Sequence, residues 1–394
     1  MIKKIFIFFD KSFFKSKKNI TILWIIATIL AVIPKYFGNH NNYKIYKYVY
    51  YHVINQTALY TEYPNEFFDK NHYGPIFSLI IAPFAVLPDF IGLILWSIFL
   101  VFLVVYAINQ LPITEIQKVI IFWICLNEYL ISAQSFQVNA IIVFVIVMSY
   151  VFINKKMDFW AVMLISLGTF IKLYGIVGLA FFFFCKNKPK FVLSFIFWSG
   201  LFFVLPMLIS SPQYIMDRYV EWFTELVSKN GTNVELGTYQ DYSVMGIVRR
   251  LTGDITIPNT PFLIIGLVLF GLPYLRIKAY FNQKFQLLLL SSVLIFTVIF
   301  SSGSESPTYI IAFVGVAIWF VIQDIPKPNW AIGLLIFALI LTSLSHTDLF
   351  PRNLLDNYVR KYSLKALPCV FIWLVIVYQM LTEKFETNNF KQSN

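Results

Sequence analysis

Apolar runs of bilayer-crossing length recur along this chain from end to end, and no other feature limits its possible folds as strongly. Crossing a hydrocarbon core of about 30 Å takes about 20 helical residues. Here the runs fall at 20–37, 74–88, 90–108, 118–133, 139–153, 158–184, 191–209, 262–275, 285–301, 307–322, 330–345 and 366–381, each bounded by polar residues, Pro or Gly. The expected fold is all-α, a polytopic membrane protein of about 12 transmembrane helices forming a single membrane domain over residues 1–394. Composition agrees, since 58% of residues are hydrophobic and 13% charged, whereas a soluble domain is roughly 45–50% apolar and about 25% charged.

The formal charge of +11 sits in short basic clusters between the apolar runs. That distribution favours anionic lipid headgroups as partners and gives no soluble basic face for nucleic acid. Cys125, Cys185 and Cys369 lie inside or at the end of apolar runs with no metal-ligand spacing, so they read as small core residues and no metal site is expected.

Orientation follows from the lysines. Residues 1–19 carry Lys3, Lys4, Lys11, Lys15, Lys17 and Lys18 against Asp10, and the first run ends in Pro34, Lys35, Tyr36 and Phe37 rather than in a small-residue cleavage site. The N-terminus is expected in the cytoplasm, of a bacterial inner membrane, with the first span retained. An even number of spans returns the tail 382–394 to the same side, along with Lys186, Lys188, Lys190, Arg276, Lys278 and Lys284. The loops 38–73 and 210–261 then lie outside. Lys155, Lys156 and Lys172 fit this count poorly. The plain twelve-span version puts Lys172 in the middle of one long run, 158–184. In the alternative that run is a hairpin with Lys172 at its outer tip, and one of the four preceding runs does not cross.

Both outer loops are expected to carry interfacial helices. Ile45, Val49 and Val53, flanked by Tyr46, Tyr50 and Ile54, recur every four residues opposite Lys44, Lys47 and Tyr51. Ser211 and Pro212 form a helix start, followed by an apolar stripe of Ile215, Tyr219, Phe223 and Leu226, with an end expected near 228–231.

Phosphate loops, dinucleotide turns, zinc pairs and nucleophile elbows are missing, so any chemistry falls to scattered polar residues. Glu128 and Lys172 stand within apolar runs, where an ionisable group needs a polar cavity or a partner. Gln134, Gln137 and Asn139 suit a capped turn between helices.

Four stretches in order carry a likeness to a known family: NYKIYKYVYYHVINQTALY, HYGPIFSLIIAPFAVLP, QVNAIIVF with GTFIKLYGIVGL, and DYSVMGIVRRLTG. From about Ile20 to Leu381 the chain resembles glycosyltransferase family 87, polyprenol-phosphate-mannose-dependent α-mannosyltransferases of the membrane C superfamily, also known as domain-of-unknown-function family 2029. The resemblance implies transfer of a hexosyl group, mannosyl by the family's donor, from a polyprenyl-phosphate carrier to a lipid or glycan acceptor on the outer face, with no cofactor. The Asp that such proteins carry after the first span, as general base, reads Asn42 here, and the late His position reads Ser302. An amide cannot accept a proton at neutral pH. Asp69, Glu66 and Glu305 are the replacement candidates, Glu305 foremost, since a partly desolvated carboxylate at a span end can have a raised pKa and be a better base. Lys172, Arg249, Arg250 and Arg352 are candidates for the departing phosphate, which needs fixed positive partners, and Tyr46, Gln137, Asn139 and Ser243 for the substrate pocket. Two other readings stay open: a lipid or glycan transporter, and a non-catalytic transferase-like scaffold.

Overall fold

The computed structural model describes residues 12–235, 237 and 240–385. Their regular structure is all helix, with no β-strand among them, and they gather into two compact units that divide between Lys229 and Asn230. Of the basic N-terminal segment, residues 1–11 lie outside the described residues, as do 386–394 of the tail.

The first unit contains α1 (Lys17–Phe37), α2 (Asn41–Asn55), α3 (Phe77–Ala85), α4 (Asp89–Gln110), α5 (Glu115–Gln134), α6 (Asn139–Asn154), α7 (Asp158–Ile171), the 3-10 segment α8 (Leu173–Phe184) and α9 (Lys188–Val204), and most of α10 (Pro212–Asn233). Local sequence sets the boundaries. Thr114 and Gln117 form a reciprocal capping box at the start of α5, and Asn187 caps α9 by accepting from the Lys190 N–H, with Pro189 in the first turn.

Among the described residues six helices are long and apolar enough to cross a membrane, Lys17–Phe37, Asp89–Gln110, Glu115–Gln134, Lys188–Leu208, Asn329–His346 and Leu364–Thr382, and six apolar ones are shorter. Two expected runs differ from this set. Run 74–88 is helical only over Phe77–Ala85, which at 1.5 Å per residue extends about 14 Å, half of a hydrocarbon core. Run 158–184 is not one helix, because Lys172 takes an extended conformation (φ −152°, ψ 127°) and splits it into α7 and α8. The limbs fold back on each other with almost no side chain between them. A Cβ on Gly175 would lie 2.2 Å from the Gly168 carbonyl carbon, and one on Gly178 would lie 2.6 Å from Ile165. The hairpin alternative therefore replaces the single span. Its apparent obstacle, limb length, eases because 3-10 geometry rises about 2.0 Å per residue, so the 12 residues of α8 extend about 24 Å.

The second unit contains α11 (Val244–Thr252), α12 (Thr260–Gly271), α13 (Gln283–Ile299), α14 (Tyr309–Val321), α15 (Asn329–Phe337) and α16 (Leu367–Thr382). Helices α13, α14 and α16 form its core. Each buried indole there finds an acceptor on a neighbouring helix: Trp319 Nε1 donates to Gln379 Oε1 at 2.9 Å and Trp373 Nε1 to Ser292 Oγ at 2.9 Å.

Candidate active site

In the first unit the polar residues collect where α2, the chain from Thr57 to Gly74, the α7–α8 tip and α10 meet. Helix α2 forms as its four-residue repeat predicts and buries Tyr43, Ile45, Tyr46, Val49, His52 and Val53. Asn42, the second residue of this helix, donates from Nδ2 to the Ser135 carbonyl at 2.8 Å, bracing the C-terminal end of α5. The Tyr46 hydroxyl lies 3.1 Å from that of Tyr73. The buried His52 presents Nε2 to Glu66 Oε2 at 2.8 Å. Burial pushes this imidazole below its ordinary pKa, outweighing the upward pull of the Glu66 carboxylate.

Asp69 sits in the left-handed region (φ 71°), with its carboxylate 3.6 Å from His72 Nε2 and 3.6 Å from Lys229 Nζ. His72, the lysine and the Lys70 N–H together hold that carboxyl far below the usual range. The other face of the His72 ring meets Glu225, Nδ1 to Oε1 at 3.2 Å. Further contacts fasten the loop to α10. The Tyr214 hydroxyl donates to the Thr57 carbonyl at 2.7 Å, and Trp222 Nε1 donates to the His72 carbonyl at 3.0 Å. Beneath Trp222, the Gly74 N–H donates to the Ile171 carbonyl at 3.2 Å. A side chain on Gly74 would strike the Phe170 carbonyl at 2.0 Å. This backbone approach brings the hairpin tip against the end of the loop. Lys172 there is half-buried, its Nζ 4.5 Å from the Tyr174 ring centroid. Asn139 Nδ2 donates to Gln137 Oε1 at 2.6 Å within the turn that joins α5 to α6.

The second unit holds a different polar cluster. Asp241 (φ 56°) and Arg249 form a buried ion pair at 2.6 Å. Arg249 also donates from Nε to the Ile257 carbonyl at 2.9 Å and to the Asn259 side chain. Ser243 Oγ donates to Asp241 at 2.6 Å and caps α11 by accepting from Gly246 N–H at 3.0 Å. Arg250 donates to the carbonyls of Arg360 and Gln240 and lies 5.7 Å from the Tyr242 ring centroid. The Tyr242 hydroxyl meets His346 Nε2 at 3.0 Å.

Several expected roles change with these placements. Arg249 and Ser243 are parts of a buried clasp, with the arginine's donors directed at protein acceptors, so neither is open to phosphate or sugar. Glu305 caps the helix start at Ser306–Thr308 and accepts from Gln240 Nε2 at 3.0 Å, which is the structural alternative to a base at this position. Arg352 is 86% exposed, 3.6 Å from Asp348. Lys172 stands at a hairpin tip rather than mid-span, and Glu128 is fully buried on α5. On α10 the buried face carries Ile215 and Trp222, while Phe223 is 69% exposed. The expected stripe is thus rotated by one residue, since 215 and 222 are two full turns apart. Sequence reading did not single out His52, Glu225 or Lys229. A His four residues beyond Tyr48 on a buried helix face, and acid and base seven and fourteen residues beyond Arg218 and Ile215, were the available signals. No three His, Cys, Asp or Glu among the described residues are arranged to hold a metal ion.

The fold is that of an all-α multi-pass membrane protein with an acid- and histidine-bearing loop packed against its helices. A family model settles the class: glycosyltransferase family 87 matches residues 71–302, more than half of the chain, and the protein belongs to that family, as a membrane glycosyltransferase. The matched segment is shorter than the expected Ile20–Leu381. It includes His72, Lys172, Glu225 and Lys229 and leaves Asn42, Glu66, Asp69 and Glu305 outside. No curated protein matches the chain.

Proposed function

We propose that this glycosyltransferase moves a hexosyl group, mannosyl by its family likeness, from a polyprenyl-phosphate carrier to a lipid or glycan acceptor on the outer face of the membrane, with Glu66 as general base. The observation that carries the assignment is the His52–Glu66 contact at 2.8 Å. Of the three acids considered, Glu305 serves a helix start. Asp69 is flanked by Lys229 and His72, and a carboxylate stabilised this strongly as its anion is a weak proton acceptor. Glu66 faces instead an imidazole that burial keeps neutral near pH 7. Its charge is oriented without being cancelled.

In the proposed step the acceptor hydroxyl attacks the anomeric carbon as its proton passes to Glu66. The bond from that carbon to the phosphate oxygen breaks, and the lipid phosphate leaves with the electron pair. For the phosphate the candidate is Lys172, supported by its neighbour Ile171 accepting from Gly74 at the end of the loop, since a fixed cation stabilises a departing phosphate. Of the aromatic and amide groups here, the half-buried Tyr73 and Gln137 are open to a sugar ring, and the buried Tyr46 and Asn139 brace them through contacts of 3.1 Å and 2.6 Å.

The test is release of polyprenyl phosphate from polyprenyl-phosphate mannose by the purified protein. Glu66→Gln is expected to lose about 10²–10⁴ in rate, and Asp69→Asn and Glu305→Gln no more than a few-fold each. Loss confined to Asp69→Asn would move the base to that carboxylate. A silent parent that gains turnover only with Asn42→Asp would favour the scaffold reading.

A further inference from the structure

Helix α9 begins among three lysines and is flanked by open apolar clefts on two sides. One cleft, of about 420 Å³, is lined by Phe159, Pro189, Lys190, Leu193, Ser194 and Phe197 together with Asn187. The other, of about 320 Å³, is lined by Leu179, Phe182, Phe183, Phe191, Val192 and Phe195. At about 100° per residue, positions 189, 190, 193, 194 and 197 share one face of the helix, and 191, 192 and 195 share the opposite face. The clefts therefore run along both flanks of the same helical half.

Their walls are firm. Phe159 lies 5.0 Å from Trp198 and 5.9 Å from Phe197 between ring centroids, and Phe182 lies 5.2 Å from Phe191. Leu193 and Phe197 remain 67% and 55% exposed, and Val192 and Phe183 each 48%. The chain 186–190, which lines the first cleft through Asn187, Pro189 and Lys190 and directly precedes Phe191 of the second, is exposed throughout and carries Lys186, Lys188 and Lys190 within five residues. Apolar grooves lead away from a cationic rim. That polarity matches one class of molecule, with a negative head and hydrocarbon tails, and fits neither a free anion nor an uncharged chain.

We propose that an anionic phospholipid occupies this site, its phosphate held by Lys186, Lys188 and Lys190 and its acyl chains lying in the two clefts. The site rests on α7, α8 and α9 alone and is independent of the sugar donor and of the base assigned above. A basic cluster at a membrane surface contributes roughly a five-fold change in binding per lysine. Three together therefore set an expected discrimination on the order of 100-fold between anionic and zwitterionic lipid.

Native mass spectrometry of the purified full chain, with phosphatidylglycerol, cardiolipin and phosphatidylcholine added singly, tests this directly. The anionic lipids are expected to stay bound at collision energies that strip phosphatidylcholine. The triple variant Lys186→Gln, Lys188→Gln, Lys190→Gln should lose that preference by about 100-fold, and Val192→Trp with Leu193→Trp, which fills the clefts while keeping the lysines, should lose bound lipid. Equal retention of phosphatidylcholine, or an unchanged preference in the triple variant, overturns the assignment. So does a dimer that forms on delipidation and is abolished by the tryptophans, since the occupant is then a second copy of the chain.

Discussion

Lys172 shows how far a single residue can be read from sequence alone. An ammonium inside an apolar run of 27 residues demanded an explanation, and the explanation is a break in the helix, with the side chain half-buried at the resulting tip. Its position against the end of the loop keeps the proposed phosphate role. Lys172→Met, of similar length without the charge, is expected to lower turnover by one hundred-fold or more while expression holds, as removal of a fixed partner for developing charge does. Full activity would return the lysine to a purely structural part. His52 gives a prediction in pH. Its folded pKa is depressed, so the folded protein binds the proton less readily than the unfolded chain, and this contribution to stability is present above the ordinary imidazole value and lost as pH falls through the folded one. Protonation also places a cation against Glu66 and weakens it as a base. Turnover should therefore fall on an acid limb lying below the ordinary imidazole range, and His52→Gln, which keeps a donor and cannot titrate, should shift that limb. An unaltered limb would detach His52 from the base. No periodicity argument could have found this pair, because its partners lie 14 residues apart across an irregular loop.

Secondary elements were legible where one physical signal dominated. The α2 repeat and the Ser211–Pro212 helix start both appear as helices close to their expected bounds. The run 74–88 misled because apolarity measures partition and not helix length: Gly74 and Pro75 begin it and Pro83 lies inside its nine-residue helix. The α7–α8 hairpin was signalled by Gly168, Gly175 and Gly178, whose missing side chains allow the limbs to touch. Gly175→Ala places a methyl group against backbone that cannot retreat and should cost about 1–3 kcal/mol, as overpacking does. Gly200→Ala, in α9 with open space around it, is the control, and there alanine should stabilise by about 0.4–1 kcal/mol. Thermal unfolding in detergent compares the two. Equal effects would mean that the limbs separate easily, and the hairpin would lose its claim to rigidity.

At the scale of the whole molecule, the hairpin and the short helix α3 change the arrangement of spans without changing their number. Removing 74–88 as a crossing and adding one within 158–184 leaves twelve apolar helices, six long and six short. If the apolar helices all cross, this exchange would put Lys155 and Lys156 on the same side as Lys186, Lys188 and Lys190, and Lys172 with the first loop. We propose this topology on two signals, the charge asymmetry and the backbone break at Lys172. The orientation is testable by cysteine labelling in intact cells, and the native Cys125, Cys185 and Cys369 are all buried, which keeps the background low. Thr61, Thr232, Lys156 and Lys186 are exposed and can each be replaced by cysteine. Thr61→Cys and Thr232→Cys should react with an impermeant maleimide from outside. Lys156→Cys and Lys186→Cys should both react only after the membrane is permeabilised. A single crossing at 158–184 would place 156 and 186 on opposite sides, so the pair distinguishes the two arrangements without reference to activity. Outside labelling of either one alone would restore the single span, and cytoplasmic labelling of Thr61→Cys would place the proposed base on the wrong face for an acceptor outside the cell.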